Sequence, residues 1–205
     1  MTIVKFCGIR TEADVMAVNE TRPDLVGMVF APGRRRTIDV RTAVTLRGMI
    51  DPDIGTVGVF RDQPLEDVLS VSGSGAIDMI QLHGGESEDY VREIRERSGL
   101  RVIRAFTVRT REDVIGAAGT AADILMFDSG AGTGETFDWS ILSDVPRPFI
   151  LAGGLDPLNV CDAVTRLRPL GVDVSSGIET EGNKDRTKMR GFMVSVRAAD
   201  RRNAE

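Results

Sequence analysis

Thr2-Ile3-Val4-Lys5-Phe6-Cys7-Gly8-Ile9-Arg10-Thr11-Glu12-Ala13-Asp14 reads as a short apolar strand, a glycine turn and the capped start of a helix, and residues 25–30 read as the next strand. Two strands joined through a helical crossover must run parallel. The unit then repeats. Short apolar runs at 2–6, 25–30, 56–60, 77–82, 101–106, 124–127, 148–151 and 172–174 give eight candidate strands. Helical period and end signals mark the segments between them, opening at Thr11 and covering 39–50, 64–71, 86–98, 110–118 and 138–142. Asp156-Pro157 places proline in the first turn of another, and 185–199 closes the series.

Eight parallel strands with eight crossovers close into a barrel whose working face is built by the loops at the carboxyl ends of the strands. The fold class expected is therefore α/β, a single (β/α)8 TIM barrel of minimal length spanning residues 1–205, because 205 residues lie near the lower limit for that architecture. The competing fold, an open doubly wound sheet, opens on a Gly-x-Gly-x-x-Gly turn. Cys7-Gly8-Ile9-Arg10 offers one glycine. Residues 197–205 are polar and charged without an apolar stripe, and fraying is expected there.

Composition narrows the partners. The chain is 41% hydrophobic and 28% charged, with 31 acidic against 26 basic residues and a net charge of −5. No basic field exists for tracking phosphodiester backbone, so nucleic acid is not an expected partner. No run of eighteen uncharged apolar residues and no signal peptide is found, which points to the cytoplasm and away from membranes. Two cysteines, Cys7 and Cys161, make neither a disulfide framework nor a metal cluster. The outer helices carry no signature of an oligomeric partner.

Candidate chemistry sits at the strand exits. Cys7 ends the first strand and Asp128 ends the sixth, in Ile124-Leu125-Met126-Phe127-Asp128-Ser129, and a thiol with a carboxylate at two such positions looks like a proton-transfer pair. Alternation sends Lys5 to the face of Cys7, about 6–7 Å along the strand, at roughly 3.3 Å per residue. An interior ammonium needs a carboxylate. The eighth strand lies beside the first in a closed barrel, so a Lys5–Asp173 pair is expected, which would reduce the cation's influence on the thiol.

After the seventh strand, Ala152-Gly153-Gly154-Leu155 lets backbone approach a ligand closely; after the eighth, Asp173-Val174-Ser175-Ser176-Gly177-Ile178 adds hydroxyl donors. Both loops stand where such barrels hold phosphate. A second anion site is expected at Pro32-Gly33-Arg34-Arg35-Arg36, since guanidinium groups grip carboxylates bidentately. His83, the one histidine, follows Gln81 at the exit of the fourth strand and reads either as a ligand to polar substrate atoms or as a rim residue. Without companion histidines it makes no metal site. Trp139 reads as a buried anchor of the loop after the sixth strand, and Cys161 as helix packing.

Lys5-Phe6-Cys7-Gly8-Ile9-Arg10, Val26-Gly27-Met28-Val29-Phe30-Ala31-Pro32, Gln81-Leu82-His83-Gly84, Gly132-Thr133-Gly134-Glu135-Thr136-Phe137-Asp138-Trp139, Ala152-Gly153-Gly154-Leu155 and Val172-Asp173-Val174-Ser175-Ser176-Gly177 together resemble the phosphoribosylanthranilate isomerase family of tryptophan biosynthesis. The resemblance implies an Amadori rearrangement of an aminoaldose to an aminoketose without a cofactor. It also implies a phosphorylated small-molecule substrate, with Asp128 as general acid and Cys7 as general base. Arg36 matches the position that holds the anthranilate carboxylate, and Gly154, Ser176 and Gly177 match the phosphate cradle. Ordinary thiols and carboxyls titrate at about 8.5 and 3.9, on the wrong sides of neutrality for those roles, so a site that shifts one or both is implied. Two departures alter the rim charge: the family commonly has Ser-Pro-Arg or Ser-Lys-Arg at Arg34-Arg35-Arg36, and lysine at Glu135.

Overall fold

The computed structural model describes residues 1–128, 138–143 and 145–204. All eight expected strands form: β1 (Ile3–Cys7), β2 (Leu25–Val29), β3 (Gly55–Phe60), β4 (Met79–Leu82), β5 (Arg101–Thr107), β6 (Ile124–Asp128), β7 (Phe149–Leu151) and β8 (Gly171–Val174). They close in sequence order into a barrel. The helices are α1 (Glu12–Thr21), α2 (Val40–Arg47), α3 (Leu65–Ser72), α4 (Glu88–Ser98), α5 (Arg111–Ala117), α6 (Val160–Leu167) and α7 (Arg186–Ala204). No helix among the described residues is long and apolar enough to cross a membrane.

Local chemistry sets where the helices begin. Thr11 caps α1 in a closed box: its hydroxyl accepts from the Asp14 amide, while the Asp14 carboxylate accepts from the Thr11 amide. Thr110 and Asp113 do the same for α5, satisfying amides that the first helical turn leaves open. Asp39 and Ser87 cap α2 and α4 through their side chains.

Three elements depart from the sequence expectation. Between Asp138 and β7 the described residues form a 3-10 turn, Trp139–Leu142, rather than an α-helix. α6 starts at Val160, later than Pro157, because Asp156 spends its carboxylate on the Leu158 and Asn159 amides and so makes a turn ahead of the helix. α7 runs on to Ala204, past the 199 expected for its end. Ala199 is buried, Asn203 Nδ2 donates to the Val164 carbonyl, and Asp200 with Arg197 clamps Thr2 at the opposite terminus.

The chain divides into two compact units, one of residues 1–6, 106–119 and 125–205, the other of 7–105 and 120–124. In the first, Phe6 meets Phe192 of α7 edge to face at 6.0 Å between centroids and Phe127 meets Phe149 at 5.4 Å. Phe6 therefore faces the helical layer, and alternation turns Lys5 inward. In the second unit Phe30 stacks on Phe60 at 5.3 Å.

The clamp on Thr2 yields a test. Asp200 Oδ1 accepts from the Thr2 amide at 2.9 Å and its hydroxyl at 2.7 Å, and Oδ2 accepts from Arg197 at 3.1 Å. Burial works to raise this carboxyl, but the Thr2 hydrogen bonds and the Arg197 charge jointly hold it below the usual carboxylate range. A depressed folded-state value contributes stability that is present above the unfolded value, about 3.9, and lost as pH falls through the folded one. Asp200→Asn is expected to cost about 1–3 kcal/mol at neutral pH. In urea unfolding at stepped pH, its gap from the wild type should narrow below about pH 4.

Candidate active site

In the first unit the site is built on the ends of β6, β7 and β8. Lys5 and Asp173 face each other in the β1–β8 register, and Lys5 Nζ donates to Asp173 Oδ1 at 2.6 Å with the lysine side chain fully buried. This is the pair expected from alternation. Asp128 ends β6 half-buried, its carbonyl accepting from the Val108 amide at 3.2 Å. Beyond β7, Gly153 and Gly154 have φ of 86° and 66°, a region where a side chain is strained. Asn159 holds this loop from both sides, donating from Nδ2 to the Gly154 carbonyl at 2.8 Å and accepting at Oδ1 from the Asp156 amide at 2.9 Å.

After β8, Ser176–Ile178 make a single 3-10 turn that follows Ser175. Gly177 is packed so closely against the loop after β7 that a β-carbon there would lie 1.9 Å from the Leu155 carbonyl oxygen. Gly153, Gly154, Ser175, Ser176 and Gly177 thus lie on two loops in direct contact. Such a wall of backbone amides and hydroxyls suits a phosphate.

In the second unit Cys7 ends β1 with 8% of its surface exposed. The turn beyond it is fixed by the Gly8 and Ile9 amides, which both donate to the Gly27 carbonyl, at 2.8 and 3.0 Å. Of the three arginines after β2, Arg34 and Arg35 are exposed and Arg36 is half-buried. Their loop is tied down by the Arg10 guanidinium on the Arg35 carbonyl, and by the Thr37 amide on the Arg34 carbonyl.

His83, half-buried, donates its amide to the Phe60 carbonyl, and Gln81 before it is fully buried. Reading the sequence missed the residues that hold this loop. The buried Glu86 accepts from the Asp62 and Gly84 amides, both at 2.9 Å, and Asp62 accepts from the Gly85 amide at 2.6 Å. The expected helix over 86–98 begins at Glu88 instead, and the Glu86 carboxylate is spent on loop amides. Nearby, burial first and then the Glu86 and Asp67 charges push the Tyr90 phenol up to about 12, so its hydroxyl stays a neutral donor to the Gln63 carbonyl.

Trp139 is half-buried at the start of its 3-10 turn, and Cys161 is half-buried on α6. Glu135 and the Gly132–Phe137 part of its motif lie outside the described residues.

A family model described as N-(5'phosphoribosyl)anthranilate (PRA) isomerase matches residues 4–195. The chain is 42% identical to the N-(5'-phosphoribosyl)anthranilate isomerase of Endomicrobium trichonymphae over 194 residues, 92% of this chain and 95% of that protein. It is also 42% identical to that of Lacticaseibacillus casei (strain BL23) over 197 residues, 96% of each. Among solved structures it resembles phosphoribosyl anthranilate isomerase from Thermotoga maritima, with a TM-score of 0.89 and 34% identity over 97% of this chain and 100% of that one. A phosphoribosyl anthranilate isomerase in complex with reduced 1-(o-carboxyphenylamino)-1-deoxyribulose 5-phosphate matches with a TM-score of 0.87, again at 34% identity and the same coverage.

The buried pair beneath the two cradle loops can be tested by removing one partner. Lys5→Met strands the Asp173 carboxylate and is expected to cost about 3–5 kcal/mol in urea unfolding. Removing both charges in Lys5→Met/Asp173→Asn should recover much of that loss, and a double variant no more stable than the single would contradict the pairing argument.

Proposed function

The chain belongs to the N-(5'-phosphoribosyl)anthranilate isomerase family, and from that premise we propose which of its side chains carry the reaction. It is an isomerase of tryptophan biosynthesis, converting N-(5'-phosphoribosyl)anthranilate to 1-(o-carboxyphenylamino)-1-deoxyribulose 5-phosphate by an Amadori rearrangement. Such a reaction only moves protons and electron pairs within one molecule, so acid and base groups suffice to run it.

Asp128, as the acid, protonates the furanose ring oxygen. The C1–O bond breaks as the anilino nitrogen donates its lone pair, leaving an open-chain Schiff base. Cys7, as thiolate, removes the proton from C2, and the electrons of that C–H bond neutralise the iminium to give an enolamine. Protonation at C1 with loss of the enol proton then yields the ketose. Each positioned acid or base contributes about 10²–10⁴-fold.

The observation that carries these assignments is the pairing of Lys5 with Asp173 at 2.6 Å. It engages the interior ammonium of β1 in an ion pair, and the thiol two residues on is the group of that strand assigned to accept the proton. Asp173 presents its second oxygen, Oδ2, to a sugar hydroxyl. Gly153, Gly154, Ser175, Ser176 and Gly177 hold the 5-phosphate. Arg36 takes the aromatic carboxylate, and His83 contacts polar atoms between the two ends. Neither Cys7 nor Cys161 is in a disulfide, in keeping with a reducing cytoplasm.

The substrate carries a fluorescent aminobenzoate, so its decay on adding the protein reports turnover directly. Cys7→Ala and Asp128→Ala are each expected to lower kcat by about 10²–10⁴-fold with KM little changed. Substantial turnover in both folded variants would remove the acid–base assignment.

A further inference from the structure

Downstream of the cradle lies a feature that the reaction scheme does not use. Residues Glu179–Thr180 (β9) and Asn183–Lys184 (β10) form a two-stranded antiparallel hairpin, with Glu179 opposite Lys184. Its turn residues Glu181 and Gly182 both have positive φ, 50° and 80°, as a tight two-residue hairpin requires. The Lys184 side chain is 2% exposed and that of Glu179 6% exposed, and they pair at 2.9 Å. The ammonium does something more: Nζ also donates, at 2.9 Å, to the backbone carbonyl of Ser175. Glu179 is in turn held through its own carbonyl by Lys188 at 2.6 Å, and the Asp185 amide closes the strap on the Ile178 carbonyl at 2.9 Å.

The geometry points to Lys184 as a positioning residue for the phosphate seat, acting through the Ser175–Ser176 peptide. The inference rests on the phosphate assignment made above. In a trans peptide the carbonyl and the following N–H point in opposite directions, and no cis bond is present among the described residues. A charged donor on the Ser175 carbonyl therefore orients the Ser176 N–H away from itself and polarises it into a stronger donor. Gly177 has no room to adjust, since the Leu155 carbonyl stands where its β-carbon would be. The turn is gripped from the strap on one side and from the loop after β7 on the other. Glu179 balances the lysine charge, so Lys184 works by placement rather than as a long-range attractant.

The test uses the full chain and three variants: Lys184→Met, the charge-balanced Lys184→Met/Glu179→Gln, and Lys184→Arg. Steady-state kcat and KM are measured by fluorescence decay, and the dissociation constant of inorganic phosphate by titration calorimetry. Losing one charge-assisted hydrogen bond on the seat should raise KM and the phosphate constant together by about tenfold, with kcat within about twofold of wild type. The balanced double variant should keep that defect although it leaves no stranded charge, and Lys184→Arg should restore part of it. A folded double variant that binds substrate and phosphate like the wild type would overturn the inference. Wild-type protein that binds phosphate but does not turn substrate over would instead refute the assigned reaction, and the phosphate titrations would still decide the role of Lys184.

Discussion

An ammonium with no exposed surface must be neutralised from within the fold, and Lys5 is neutralised by Asp173 across the β1–β8 register. A one-residue slip in either strand would send one of these charges to the outer, apolar layer, where Phe6 packs on Phe192. The pair therefore fixes the register in which the first and last strands meet. The serine turn begins two residues beyond Asp173, so its placement is inherited from that register. The cost is a desolvated ion pair, which apolar residues of similar volume would often match or exceed in stability.

The loops above the strands are held by side chains with no part in the chemistry. Asn159 grips the loop after β7, Glu86 and Asp62 grip the loop of His83, and Lys184 grips the turn after β8. Each uses a side-chain donor or acceptor to satisfy backbone groups that an irregular loop would leave open. A loop fixed in this way need not be ordered when a ligand binds, and ordering costs are what usually erode affinity.

How much of this was legible in the sequence follows from the range of the interactions. Strands were found nearly to the residue because eight buried parallel strands need eight apolar runs, and turn residues bound each run. Cap residues such as Thr11 and Thr110 act over three positions and were equally visible. The Lys5–Asp173 pair was legible because closure of the barrel puts the last strand beside the first, turning a long-range contact into one of register. Lys184 was not: a buried lysine 9 residues from the carbonyl it serves looks like any surface lysine until the hairpin forms, and strands of two polar residues carry no alternation. α7 was read as too short for a similar reason, since its end is held by Thr2, 198 residues away from Asp200.

Charge supplies the remaining step. The substrate brings a phosphate and a carboxylate to a chain of net charge −5, so the field of the whole molecule does not favour its approach. In the first unit, the buried cations Lys5 and Lys184 are each balanced by a carboxylate at 2.6 and 2.9 Å. Affinity at the proposed phosphate seat must then come from oriented amides and hydroxyls at short range, which are insensitive to net charge but demand accurate placement. The tight approach at Gly177 and the brace at Ser175 suit that demand. On the loop after β2, Arg34, Arg35 and Arg36 bring three cations, of which only Arg36 is half-buried. A planar carboxylate is matched by a guanidinium fork, which is the chemistry behind the carboxylate role proposed for Arg36.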